Sequence, residues 1–324
     1  MNEKNLIFLI SQPRSGSSML QQLLLTSQVI SSSPESWQML SLIHTYKETN
    51  ISNNYNPNFA TINFVSYLNQ KEIGLADFKE KIKKLALSLY DDKRGKNDYF
   101  LDKTPRYYHI IDELYEFFPN AKYIFLKRHP IAVYTSILNY NFYGDSFEFL
   151  KQDDRLDDLF LAPTVIKNAT KKYKNHVLVS YEDVVQSAET TLKKISNYLD
   201  IDIPVDAPYK LKGEFINSGS IDTKSLKDHD KPVRKYLDTW KSSLKTTQEK
   251  KLVLDYLKRL IGGDGIYSSI EIENIIAEVK KIHPKKRTYF NLSFDILAQK
   301  EENLSILALN KKRLYRKLKF LLRK

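Results

Sequence analysis

The sequence predicts an α/β fold in which a central parallel sheet is flanked by helices, and three observations carry that prediction. Short apolar, β-rich runs alternate with amphipathic helical stretches through the first two hundred residues. The first run, Leu6 to Ile10, is continuously apolar, and each run ends in polar residues. Strands alternating with helices build parallel sheets through helical crossovers, and continuous apolar runs belong to strands buried on both faces. Polar strand ends place the site at the carboxyl edge of the sheet. A chain of 324 residues buries a full core and suits one large domain with appended pieces.

The elements follow in order. After the first strand, Pro13 and Gly16 break the run, and Met19, Leu20, Leu23 and Leu24 recur at helical spacing with Ser17 or Ser18 as N-cap. Ser31 to Trp37 reads as a polar turn carrying one carboxylate, Glu35, and one large aromatic. Trp37, Leu40, Ile43 and Tyr46 suggest a helix, and Phe78, Ile82, Leu85, Leu89 and Tyr90 form a helical stripe; residues 36–98 therefore read as a helical insertion over one end of the sheet. Tyr99 to Leu101 is a second strand ending in Asp102-Lys103-Thr104-Pro105, followed by a helix from about Tyr108 to Phe118. Lys122 to Leu126 is a third strand, and Pro130 fits the first turn of the next helix, which carries Ser136. Residues 140–175 are acidic and aromatic and give no clear order. Val177 to Ser180 is a fourth strand, leading into Tyr181-Glu182-Asp183 and a helix. The main domain is expected over 1–250 and a helical extension over 251–324, ending in a basic amphipathic tail, 311–324.

Composition narrows the chemistry. There are no cysteines and only six scattered histidines, so neither disulfides nor a metal site is expected. The net charge of +12 comes mostly from the tail: 311–324 holds eight Lys and Arg and no acid, which leaves 43 basic against 39 acidic residues in the rest. A mildly basic body suits an enzyme for an anionic nucleotide; no nucleic-acid-binding motif is present. Without an apolar leader or a run long enough to span a bilayer, the protein is expected in the cytoplasm. The leucine stripe of 311–324, ringed by charge, fits peripheral contact with an anionic inner-membrane surface.

The working centre is expected at Ile7 to Ser18. A turn between a buried strand and a helix N-terminus presents backbone N–H groups and the positive end of the helix dipole, and is an oxyanion site. The Walker phosphate loop has a lysine after its second glycine, whereas here Arg14 precedes the glycine in Pro13-Arg14-Ser15-Gly16-Ser17-Ser18. That hexapeptide after a first strand resembles the 5′-phosphosulfate loop of the sulfotransferase superfamily, whose donor is 3′-phosphoadenosine 5′-phosphosulfate (PAPS). The resemblance extends over roughly residues 5–245. Arg128, in Lys127-Arg128-His129-Pro130, and Ser136 look like the family's 3′-phosphate pair, although His129 departs from the usual Arg-Asp-Pro. Val179-Ser180-Tyr181-Glu182-Asp183 is similar to the family's strand-end motif, where Tyr181 borders adenine.

The resemblance implies a three-layer P-loop-like fold and PAPS as co-substrate, with no metal. The tyrosyl-protein and carbohydrate enzymes of the family supply the nearest pattern for the remaining residues. On it Glu35 is the base, Lys103 meets charge developing on the bridging oxygen, and Arg14 assists the sulfonate. Asp102, next in sequence, is an alternative partner that merely neutralises Lys103. Lys231-Pro232-Val233 followed by Trp240 is similar to the late cofactor segment, so Lys231 is expected near a phosphate, preceded by Ser220 or Ser225. The expected acceptor is a hydroxyl on a saccharide or glycolipid; a peptidyl tyrosine or small phenol is the alternative. A nucleotide-dependent kinase and a non-catalytic PAPS-binding protein are the readings from other classes. Nothing in the sequence sets the oligomeric state.

Overall fold

A computed structural model describes residues 1–47, 56–70, 74–205, 207–209, 215, 229–262, 265–286 and 294. Among them five parallel strands, β1 (Leu6–Ser11), β2 (Ile30–Ser32), β3 (Tyr99–Lys103), β4 (Lys122–Lys127) and β5 (Val177–Ser180), form one sheet in the order β2-β3-β1-β4-β5. Every residue of β1 is buried, as its unbroken apolar run requires. Side-chain alternation then divides the core. Leu6, Phe8 and Ile10 face one layer with Met39, Ala86 and Leu114, while Ile7 and Leu9 face the other with Leu20, Val184 and Leu192.

The helices, in chain order, are α1 (Ser17–Leu24), α2 (Gln38–Ile43), α3 (Pro57–Gln70), α4 (Leu75–Arg94), α5 (Ile111–Phe117), α6 (Pro130–Phe142), α7 (Ser146–Phe149), α8 (Asp153–Leu159), α9 (Leu161–Lys172), α10 (Tyr181–Gln186), α11 (Ala188–Leu199), α12 (Thr239–Ser243), α13 (Thr247–Gly262) and α14 (Ser269–Lys281). α1, α10 and α11 cover one face of the sheet, and α2, α4, α5 and α9 the other. A third apolar cluster joins α6 and α7 to α12, α13 and α14 through Ile131, Ile137, Phe149, Trp240, Tyr256 and Val279. The boundary expected at 250 falls inside α13, whose Leu252, Val253 and Leu257 pack in that cluster.

Several local readings change. The stretch read as a polar turn opens with β2, a three-residue edge strand with one apolar residue. Pairing completes it: the Ser31 hydroxyl donates to the Tyr99 carbonyl (3.2 Å) and that of Ser32 to the Leu101 carbonyl (2.6 Å). Satisfied hydroxyls on a short edge strand leave no apolar periodicity to detect. The segment after β3 begins as a 3-10 helix, Pro105–Ile110, before α5. α1 is capped by Gly16 rather than by Ser17 or Ser18. Residues 140–175 hold the end of α6 and then α7, α8 and α9. The tail 311–324, with Ser220 and Ser225, lies outside the described residues. No helix among the described residues is long and apolar enough to cross a membrane.

Candidate active site

The sheet order changes direction at β1, whose neighbours β3 and β4 leave to opposite sides; a crevice opens beyond its carboxyl end, where α/β folds bind ligands. The turn there is tightly built. The Ser15 amide donates to the Gln12 carbonyl (3.3 Å), Arg14 adopts φ 66° and Gly16 φ 87°. Gln12 anchors the turn from below: its amide donates to the Asp158 carbonyl at 2.9 Å and its oxygen accepts from the Tyr267 hydroxyl at 2.7 Å. The amides of Met19 and Leu20 both reach the Gly16 carbonyl at 3.1 Å. Those of Ser17 and Ser18, in the first turn of α1, have no partner within the helix and lie at its positive end. Gly16 is also a steric necessity. A Cβ there meets the Tyr181 ring at 2.4 Å in a backbone conformation that favours glycine. We expect Gly16→Ala to cost about 1–3 kcal/mol, read as a lower melting temperature; a variant that melts like its parent excludes this packing.

Glu35 and Lys103 meet because β2 and β3 are paired in parallel. The register Ser32↔Leu101 carries the chain after β2 alongside the end of β3. Gln21 of α1 holds that turn by donating to the Ser32 hydroxyl (2.6 Å) and the Ser33 carbonyl (3.0 Å). The Lys103 ammonium then donates to Glu35 Oε1 at 2.7 Å and to Ser18 Oγ at 3.3 Å. Asp102 does not serve as its contact partner. Neighbouring strand residues point to opposite faces, and Asp102 instead accepts from the hydroxyls of Tyr90 (2.6 Å), Tyr107 (2.7 Å), Ser36 (3.2 Å) and Thr104 (3.2 Å). Burial raises the Asp102 pKa against these four donors. Burial also lowers the Lys103 pKa, against the pull of Glu35. Lys103 thus bonds to the turn that carries Glu35, while Asp102 acts on it only through its charge.

A second basic group lies on the β4 side. Arg128 donates from Nη1 to the Arg14 carbonyl at 2.9 Å, and its guanidinium stacks 4.2 Å from the centroid of the Tyr181 ring. Its Nε is buried with no hydrogen-bond partner among the described residues, and burial lowers its pKa. Glu182, close in sequence to Tyr181, spends its carboxylate on the His129 amide at 3.0 Å. Arg14 Nε donates to Ser136 Oγ at 3.2 Å, and the Arg14 guanidinium sits 4.0 Å from the Tyr140 ring centroid. Arg14 is thus gathered with Arg128 and Ser136 rather than with Glu35 and Lys103.

Most of these groups line one cavity of about 660 Å³; Lys103, only 1% exposed, is not on its wall and reaches it through Glu35 and Ser18. Pro13, Arg14, Gly16, Ser17, Ser18 and Glu35 belong to its wall, as do Arg128, Ser136, Tyr181 and Lys231. Ser15 does not; it is turned inward, its hydroxyl buried with no hydrogen-bond partner among the described residues. Part of the wall is aromatic, with Tyr181, Tyr209, His229 and Tyr236, and Trp37, Pro105, Arg106 and Arg155 also line the cavity with Glu35. Trp240 is buried against His129, ring centroids 4.9 Å apart and nearly parallel, so it supports the wall without facing the cavity. Tyr267 escaped the sequence reading altogether. Its hydroxyl lies 2.7 Å from both Gln12 Oε1 and the Arg128 carbonyl, tying the turn to the end of β4; a residue 139 positions from its partner leaves no local signal. Among the described residues no group of His, Asp and Glu is arranged to hold a metal ion.

Comparison with known proteins agrees with this architecture. Nodulation protein NoeE of Sinorhizobium fredii is 30% identical over 130 residues, which make up 40% of this chain and 30% of that protein. The chain thus matches under a third of that relative's length. The sulfotransferase domain from the curacin biosynthetic pathway superposes with a TM-score of 0.52 at 22% identity, covering 73% of this chain and 90% of that one. The sulfotransferase domain of the Synechococcus PCC 7002 olefin synthase gives 0.51 at 20% identity, covering 73% and 87%. These two likenesses concern the fold. Residues 6–205 match the profile described as "Sulfotransferase family", a stretch that holds Glu35, Lys103, Arg128, Ser136 and Tyr181 and stops short of Lys231. With more than half of its length inside that match, from the first residue of β1 to beyond α11, the chain belongs to the sulfotransferase family.

Proposed function

We propose that this sulfotransferase moves a sulfuryl group from PAPS to a hydroxyl of a saccharide or glycolipid, with Glu35 as general base. The observation that carries the reading is the Glu35–Lys103 pair at 2.7 Å, touching Ser18 at the start of α1. It sets a proton acceptor and a cation side by side at the phosphate turn.

The wall suits the donor. Gly16 lets the Tyr181 ring close against the phosphate turn, and Arg128 offers a buried Nε with no hydrogen-bond partner among the described residues. When bound, PAPS supplies a sulfuryl group attached to a phosphate leaving group. The Ser17 and Ser18 amides, with the dipole of α1, hold the 5′ end. Arg128 and Ser136 hold the 3′-phosphate, where a planar guanidinium fork suits a phosphate monoester, and Arg14, bonded to Ser136, adds its charge there. Tyr181 borders the base, and Lys231 reaches a phosphate from the far wall. Glu35 takes the proton from the acceptor hydroxyl as that oxygen attacks. Lys103, already within reach of Ser18, meets the negative charge that grows on the bridging oxygen. Positioning and charge stabilisation carry most of the rate, as in phosphoryl transfer.

Equilibrium binding tests the donor. 3′-Phosphoadenosine 5′-phosphate (PAP) is expected to bind at least about tenfold more tightly than ADP in the absence of magnesium, because only PAP carries the 3′-phosphate. Equal affinities exclude the donor assignment and return the kinase reading. Incubation of the full chain with PAPS and neutral saccharides, phenols or tyrosyl peptides, followed by mass detection of the sulfated product, tests the acceptor. Sulfation confined to phenols or peptides excludes the saccharide.

A further inference from the structure

The chain has two tryptophans, and they are treated oppositely. Trp240 is 2% exposed, whereas Trp37 is 40% exposed, two residues after the proposed base. Trp37 also adopts φ 54° and ψ 9°, a left-handed conformation that is strained for a bulky side chain. The residues around it hold it there. The Ser36 hydroxyl donates to Asp102 (3.2 Å) and accepts from the Gln38 amide (3.2 Å), and the Met39 amide donates to the Tyr107 hydroxyl (3.2 Å). A buried carboxylate and its hydroxyls thus fix both sides of Trp37, and the indole is left on the cavity wall with Glu35, Pro105 and Arg106. An exposed aromatic on strained backbone at a reaction centre is explained by what it binds.

The wall of the same cavity also carries a polar network of two arginines and two aspartates, balanced in charge. Arg106 donates from Nη2 to Asp154 Oδ2 (2.7 Å) and Asp158 Oδ2 (2.9 Å), and Arg155 donates from Nη1 to Asp158 Oδ2 (3.3 Å). Arg106 and Arg155 both line the cavity, and the Asp154 carboxylate is about half exposed. Such a network offers donors and acceptors without net charge. A neutral sugar ring needs both, for hydroxyls that donate and accept, and presents an apolar C–H face to an aromatic surface. A phenol or tyrosyl side chain has one hydroxyl and little use for the network; an anionic acceptor meets no excess positive charge there.

We infer that Trp37 is the stacking platform of the acceptor site: a neutral pyranose ring lies on the indole, its remaining hydroxyls reach Arg106, Arg155 and Asp154, and one hydroxyl is presented to Glu35. This rests on the saccharide reading above, and the test separates the two. Trp37→Ala is expected to raise the KM for neutral methyl glycosides and disaccharides about tenfold and to leave kcat within about twofold. PAP affinity, measured by calorimetry, stays at the parent value and shows that the variant is folded. Trp37→Phe restores most of the lost affinity. Independently of turnover, a disaccharide titrated into the PAP-bound parent shifts the tryptophan emission to shorter wavelength. Trp37→Phe abolishes that shift, because Trp240 is already buried. Saccharides sulfated with unchanged KM in Trp37→Ala overturn the platform and leave the saccharide reading standing. Phenols or peptides sulfated in place of saccharides overturn both, and PAP affinity lost along with KM reduces Trp37 to a structural role.

Discussion

Glu35→Gln lowers turnover at saturating donor and acceptor by about a hundredfold to ten-thousandfold, the range of a lost general base. PAP binding stays close to the parent value. The amide still accepts from Lys103, so the turn after β2 keeps its place while the proton acceptor is gone. The same substitution shifts the pH profile. In the proposed mechanism Lys103 acts as a cation, so the rate is expected to fall as pH rises through its pKa, which burial already holds below the ordinary lysine range. Glu35 opposes that lowering; without it the decline moves to lower pH. Steady-state rates across pH, with calorimetric PAP binding beside them, check both effects. An unchanged kcat removes Glu35 as base, and a decline that does not move removes Lys103 from the reacting centre.

Arg128→Ala does the converse. Donor binding weakens by about 2 kcal/mol or more, the worth of a charge-assisted fork on a phosphate, while the folded chain loses little. Arg128 is a part-buried cation whose pKa burial lowers, so its removal relieves desolvation. What is lost structurally is one hydrogen bond to the Arg14 carbonyl and the stack on Tyr181. Arg128→Lys is expected to recover only part of the affinity, since an ammonium lacks the planar fork. Thermal unfolding with and without PAP reads both quantities, because a ligand that binds only the folded chain raises its stability in step with its affinity. A variant that keeps the parent's PAP-induced shift excludes Arg128 from the donor site.

The part of the site built within single segments was legible beforehand. Pro13 to Ser18 announces itself because a buried strand, a break and a helix start follow one another in the chain; Arg128 and Tyr181 are found because each sits at the end of an apolar strand. Trp37 was visible only as a large aromatic. Neither its strained backbone nor its place on the cavity wall has a signature in sequence, since Asp102 and Tyr107, more than sixty residues away, hold the flanking Ser36 and Met39.

By itself the sequence determined the α/β class, the central buried strand and the order of the segments that carry Glu35, Lys103, Arg128 and Tyr181. Those follow from periodicity and from breaks, which are local properties of the chain. The tertiary structure alone decided that Ile30–Ser32 is a strand and that its parallel pairing with β3 delivers Glu35 onto Lys103. It also decided that Arg14 turns to Ser136 and that Tyr267 holds the end of β4 to the phosphate turn. Each is a contact between residues far apart in the chain. Which partner a serine, an arginine or a tyrosine finds is set by the strand register and helix packing that bring distant segments together, not by the residues flanking it.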